Sequence, residues 1–136
     1  MPDVLVKFGL CKAINDFITR VNQTKKIKIE YECNGFKEDM LKETEKLMLY
    51  RIVQESVGNS IKYAHAEKII VQLSADEQEI SLLLEDNGKG FDVEKAKKKD
   101  GIGLKNIQLR TDYLKGKLEI ESSSKGTTII VEIPLS

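Results

Sequence analysis

Apolar side chains recur at the helical period from the start of the chain. Leu5, Phe8, Ile14, Phe17, Ile18 and Val21 predict a helix from Val4 to Val21. A polar turn, Asn22 to Lys26, follows. Ile27-Lys28-Ile29-Glu30-Tyr31-Glu32-Cys33 then alternates strictly between apolar and polar, the pattern of a half-buried strand, and Asn34-Gly35 ends it. The longest helical stretch runs from Lys42 to Ala64, with Leu49, Val53, Val57, Ser60, Ile61 and Ala64 gathered on one face. Lys68–Ser74 and Glu79–Glu85 predict two strands joined by the turn Ala75–Gln78. Asp86-Asn87-Gly88-Lys89-Gly90 breaks the second strand, and Phe91 to Lys99 predicts a charged loop or weak helix. Gly101-Ile102-Gly103 leads into a helix from Leu104 to Leu114, for which Gly116 is the natural stop. Strands at Lys117–Glu121 and Thr127–Ile133, joined by the turn Ser122–Gly126, close the chain, and Pro134 ends the last one. Paired strands alternating with helices place the chain in the α+β class, a mixed and partly antiparallel sheet with helices layered on one face.

Composition narrows the function. A length of 136 residues suits one domain that buries its own core. Lys+Arg and Asp+Glu both number 22, and this balance argues against general nucleic-acid binding, which needs a basic excess. Cys11 and Cys33 have no metal-type spacing and are expected to be buried free thiols in a reducing compartment. No apolar run is long enough to span a bilayer, and the N-terminus has no signal-peptide pattern. The chain is therefore expected to be a soluble, cytoplasmic piece, and any membrane anchor would belong to a longer parent protein.

Three groups of residues carry candidate chemistry. On the long helix Glu55, Asn59 and Lys62 lie at i, i+4 and i+7, one stripe opposite the apolar face. A carboxylate, an amide and an ammonium in one row suit a phosphate–metal site, because an amide oxygen ligates Mg²⁺ and a carboxylate takes a proton. The same stripe also describes a solvated outer face. Asp86 ends a buried strand, and Gly88 and Gly90 beyond it let backbone approach a flat ligand; the same residues also make an ordinary turn. Gly101-Ile102-Gly103-Leu104 opens a helix whose N–H groups would face phosphate, without the spacing of a Walker A or dinucleotide motif. The lysines between Phe91 and Asp100 read as a solvated loop, with a lid over phosphate as the alternative. His65 stands alone at the end of the long helix and forms no catalytic arrangement.

These groups occur in a familiar order. Gln54-Glu55-Ser56-Val57-Gly58-Asn59-Ser60-Ile61-Lys62-Tyr63-Ala64 resembles the N box of histidine-kinase ATPase domains. Asp86-Asn87-Gly88-Lys89-Gly90-Phe91 resembles their first glycine box, and Gly101-Ile102-Gly103-Leu104-Lys105-Asn106-Ile107 the second. Gly126-Thr127-Thr128 is similar to the Gly-Thr that closes the adenine pocket. The chain thus resembles the GHKL superfamily of ATPases (gyrase, Hsp90, histidine kinase, MutL), whose Bergerat fold is an α/β sandwich with ATP beside the sheet. The segment Leu5-Val6-Lys7-Phe8-Gly9-Leu10 is similar to the one that follows the dimerisation helices in sensor kinases of the nitrate-sensor and desaturase-regulator type. Gly58 departs from the pattern, standing where a larger residue is usual, at a cost to the helix of about 1 kcal/mol.

The resemblance implies a protein histidine kinase of a bacterial two-component system, with ATP and Mg²⁺ as cofactors. Residues 1–26 would be the helical segment following an absent dimerisation domain, within the same domain as the ATP-binding core at 27–136. Asn59 would hold Mg²⁺ through ATP, Glu55 would help activate the accepting histidine, and Lys62 would face phosphate. Asp86 would bind the adenine amino group, with Thr127 close by through water. Gly88, Gly90, Gly101, Ile102, Gly103 and Leu104 would shape the pocket and its lid. No phosphoacceptor motif occurs before Glu30, so the histidine would lie on a separate dimerisation domain of a homodimeric parent, the isolated piece being monomeric, and a response regulator would take the phosphate onward. Two rival readings are an anti-sigma-factor-type serine kinase and a non-catalytic docking module.

Overall fold

The computed structural model describes residues 1–98 and 103–135. A five-stranded mixed sheet in the order β1-β2-β3-β5-β4 carries the helices on one face. The strands are β1 (Lys28–Asn34), β2 (Lys68–Ala75), β3 (Glu79–Asp86), β4 (Lys117–Ser123) and β5 (Gly126–Pro134). β1 runs parallel to β2; the other neighbours are antiparallel. The helices are α1 (Asp3–Phe8), α2 (Leu10–Thr24), α3 (Glu43–Lys62), α4 (Val93–Lys97) and α5 (Leu104–Tyr113).

Alternation along each strand decides the two faces. Ile69, Val71 and Leu73 of β2, Ile80, Leu82 and Leu84 of β3, and Ile129, Val131 and Ile133 of β5 are buried. Beneath them lie Leu49, Ile52, Val53 and Val57 of α3 and Ile107 of α5. The intervening positions form the outer face, where Glu30, Glu32, Glu85, Glu119 and Glu121 are exposed and Ile70, Gln72, Leu83 and Ile130 are half-buried. Leu5, Leu10, Ala13, Ile14 and Ile18 belong to the same core.

The single helix expected from Val4 to Val21 is two helices. The chain turns at Gly9 with φ +89°, and Leu10 N–H donates 2.8 Å to Glu38 Oε1, so a side chain from a distant 3₁₀ turn (Glu38–Met40) caps α2. A side chain at residue 9 would collide with Glu38. Behind that cap Glu38 pairs with Lys46 Nζ at 3.3 Å, and Lys46 is buried. The break turns Phe8, expected in the apolar stripe, outward to 62% exposure. The cysteines also depart from expectation: instead of two free thiols, Cys11 of α2 and Cys33 of β1 form a disulfide, with Cα atoms 6.2 Å apart. The Tyr31 hydroxyl donates 3.2 Å to Cys11 carbonyl beside it, and burial with Glu38 nearby pushes that phenol above its ordinary pKa. α5 ends not on Gly116 but with Lys115 in the left-handed region (φ +56°), while Gly116 N–H returns 3.0 Å to Thr111 carbonyl.

Candidate functional site

Asp86 is the last residue of β3 and points to the helix-covered face at the sheet's end. It is 9% exposed, and its register partners are Ile69 of β2 and Thr127 of β5. Oδ1 accepts Gly88 N–H at 2.9 Å and Thr127 N–H at 3.2 Å. Oδ2 accepts the Ser60 hydroxyl at 2.6 Å. The row continues to Ser122, whose hydroxyl lies 2.7 Å from Thr127 Oγ1 and accepts Phe91 N–H at 2.9 Å. Sheet, helix and the loop after β3 thus meet at one carboxylate.

That loop is held tightly. Asn87 Oδ1 accepts Glu67 and Lys68 N–H, both at 2.9 Å, and Lys89 N–H donates 2.9 Å to Ala64 carbonyl. Gly88 is packed so closely that an added Cβ would lie 2.5 Å from Ala64 carbonyl oxygen and 2.6 Å from its Cβ. Glycine there is a requirement of space.

The stripe on α3 lies over the other end of the site. Glu55 and Asn59 are half-buried and Lys62 is exposed. The helix beneath them is well founded: Glu45 Oε1 accepts Lys42 N–H at 2.8 Å, and Glu43 and Glu45 place negative charge in the first turn. Facing this stripe is the N-terminus of α5. Gly103 (φ +70°) is its N-cap residue, and a side chain there would collide with the Glu55 carboxylate. Leu104 is buried just beyond and forms one wall of a cavity of about 260 Å³ with Lys97, Lys105, Gln108, Leu118 and Ile120. α4 is short and capped by Asp92, whose Oδ1 accepts Lys95 N–H at 3.1 Å.

The structure brings Asp86, Gly88 and Thr127 into direct contact, puts Gly90 at φ +74° against Ser123 on the same side, and sets Gly103 against Glu55. Lys62 stands away at the exposed end of α3. Gly101 and Ile102 lie outside the described residues. Sequence reasoning missed Ser60, which sat among the apolar positions of α3, and Ser122, which fell in a turn. The available signal for Ser60 was its chemistry: a hydroxyl in an otherwise apolar buried stripe needs a partner. Among the described residues no cluster of His, Cys, Asp and Glu is arranged to hold a metal by itself, and no helix is long and apolar enough to cross a membrane.

Comparison with known proteins agrees with this geometry. The family model of histidine kinase-, DNA gyrase B-, and HSP90-like ATPases matches residues 44–136. The chain is 34% identical over 140 residues to the signal transduction histidine-protein kinase/phosphatase DegS of Bacillus subtilis, covering 99% of this chain and 36% of DegS. It is 29% identical over 136 residues to the oxygen sensor histidine kinase NreB of Staphylococcus carnosus, covering 99% and 39%. The chain therefore spans little more than a third of these relatives. The catalytic domain of histidine kinase ThkA, nucleotide-free, superposes with a TM-score of 0.70 at 21% identity, covering 94% of this chain and 93% of that one. The histidine kinase domain of a blue-light activated kinase from Erythrobacter litoralis gives 0.72 at 16% identity, covering 93% and 65%. By the family match over most of its length, together with the sheet order and the site at its end, this chain belongs to the histidine kinase-, DNA gyrase B- and HSP90-like ATPases.

Proposed function

We propose that this chain holds Mg-ATP between the end of the sheet and the polar stripe of α3, and donates the γ-phosphoryl group to a histidine on a separate dimerisation domain. The observation that carries the reading is the buried Asp86 carboxylate, held by two backbone N–H groups and one hydroxyl. A carboxylate only accepts hydrogen bonds, so the free acceptor capacity of Asp86 suits the exocyclic amine of adenine. Thr127, bonded to Ser122, closes that side.

The residues at the other end fit the triphosphate and its cation. An amide oxygen on Asn59 suits a hard cation that keeps most of its ligands as water and phosphate oxygen. Magnesium, when bound, supplies neutralisation of the charge that develops on the transferred group. Lys62, exposed at the end of α3, would serve the phosphates as a mobile countercharge on its long stem. The N-terminus of α5, ten residues long, offers N–H groups and the positive end of its dipole. Glu55 lies against Gly103; in this reading it would orient an incoming imidazole and take its ring proton as the N–P bond forms and the γ-phosphoryl bond to ADP breaks.

The relatives' names, a signal transduction histidine-protein kinase/phosphatase and an oxygen sensor histidine kinase, support the kinase part of this reading; a dimerisation domain and a response regulator beyond this chain would complete the two-component scheme. Calorimetric titration with Mg-ATP, followed by transfer of labelled phosphate to a supplied histidine-bearing helical domain, tests both halves. Micromolar to millimolar binding and an acid-labile, base-stable label on the acceptor are expected. Absence of binding at millimolar nucleotide would sink the proposal. Asn59→Ala should weaken Mg-ATP more than ADP without magnesium.

A further inference from the structure

We propose that Ser60 is the positioning residue that gives the site its choice of base, by fixing which way the Asp86 carboxylate faces. The inference rests on the ATP-binding reading above and names what makes that site selective.

Ser60 lies in the last turn of α3 and is 9% exposed. Its backbone is anchored too, since its carbonyl accepts Ala66 N–H at 3.0 Å. The hydroxyl-to-Oδ2 distance of 2.6 Å is that of a short bond to a charged acceptor. Because the carboxylate has no proton to give, the serine proton must point at Oδ2. The backbone N–H groups of Gly88 and Thr127 hold only Oδ1. The two N–H bonds locate Oδ1, and the Ser60 bond is the one that holds Oδ2, so turning the carboxylate about Cβ–Cγ must break bonds at both oxygens. The contact also ties α3 to the sheet across 26 residues of sequence, so the carboxylate is oriented relative to the helix that carries Glu55 and Asn59.

This orientation has a consequence for purines. Adenine presents a donor at its amino group and an acceptor at N1. A 6-oxopurine presents the reverse, an acceptor oxygen and an N1–H donor. A carboxylate fixed toward the amino position pairs with adenine and sets its lone pairs against the carbonyl oxygen of a 6-oxopurine. A carboxylate free to swing by one atom position would find the N1–H of hypoxanthine or guanine instead. Selectivity therefore depends on rigidity at Asp86, and Ser60 supplies the part of it that the backbone does not.

The test compares ATP and inosine triphosphate on the wild-type chain and on Ser60→Ala, with Mg²⁺ present. Alanine is nearly isosteric and a better helix former than serine, so α3 should remain intact; far-ultraviolet circular dichroism and Tm check this. Affinity for ATP should fall about tenfold in the variant, the worth of one hydrogen bond to a charged group. Affinity for inosine triphosphate should stay level or rise, so the ratio of the two Kd values shrinks by roughly tenfold or more. A merely structural serine would lower both affinities together and leave the ratio unchanged, and that result would overturn the proposal. Unchanged binding of both nucleotides would overturn it as well, while leaving the ATP reading standing. A wild-type chain that binds neither nucleotide would sink both.

Discussion

At the sheet end of the cleft, Asp86 and Thr127 are almost wholly buried, 9% and 4% exposed, and are bonded to backbone N–H groups that the fold itself sets in place. At the helix end, Glu55 and Asn59 are half-buried on long side chains and Lys62 is exposed. The first end is built from strand register and a tightly packed glycine turn. The second is built from side chains along one helix stripe, of which the exposed lysine has the most rotamer freedom to lose. Under the proposed function the difference says where each task would sit. Recognition of the base would be prepaid in folding, whereas the exposed lysine that would meet phosphate would be ordered by what arrives. Such a division would leave the transfer end adjustable without loosening the grip on the nucleotide.

The largest expected effect comes from breaking the prepaid end. Asp86→Asn keeps the shape but removes the charge that Gly88 and Thr127 N–H groups solvate. It should cost about 3 kcal/mol of binding, roughly a hundredfold in Kd for Mg-ATP by calorimetry. A loss of less than threefold would mean that the two ends are not so different. Gly88→Ala attacks the same end through packing. Its Cβ would press on Ala64 backbone, which cannot move aside, so a fall in Tm and a loss of about 1–3 kcal/mol in stability are expected, with ATP affinity falling in parallel.

Gly58→Ala is the matching probe at the helix end. Nothing lies within 4 Å of a Cβ added there. The substitution should stabilise the chain by about 0.5–1 kcal/mol in thermal or urea unfolding and leave Kd for nucleotide unchanged. If binding changes with it, α3 couples to the base pocket more tightly than the comparison allows.

The smallest effect is placed away from both ends. On the outer sheet face the Glu79 carboxyl is held above its ordinary pKa, first by its hydrogen bond with Glu132. A carboxyl raised in the folded state is a liability once both groups ionise, and the liability fades as pH falls through its folded pKa. Glu132→Gln should therefore raise Tm slightly at neutral pH, with the gain vanishing on acidification toward the carboxylate range. Nucleotide affinity should not move.

Much of this arrangement was legible in the residues themselves. Strict alternation located β1 to within a residue, because a sheet with one wet face imposes period two, and turn residues bounded the other strands to within two. The order of the glycine turns and the α3 stripe points, from the residues alone, to the region of the candidate site. What escaped was decided by partners far away in sequence. The apolar stripe through Leu5 and Ile14 hides the break at Gly9, since the residue that caps α2 is Glu38. Ser60 reads as small core filler until its partner is seen 26 residues on. Cys11 and Cys33 are brought together by α2 packing on β1, which spacing alone does not encode. Lys115 rather than Gly116 takes the left-handed turn after α5, a local choice that a glycine nearby makes easy to misplace.

The pairing of Asp86 with Thr127 carries one more implication. These two residues face each other only because β3 and β5 are aligned as they are, from Glu79 opposite Pro134 to Asp86 opposite Thr127. A slip by a single residue would send Asp86 to the outer, acidic face and bring either Asn87, without a carboxylate, or Glu85, with one a methylene further out, into its place. Under the proposed function, nucleotide binding would thereby gauge the alignment of the whole sheet: a chain folded out of step would not present this carboxylate, at this reach, to the base.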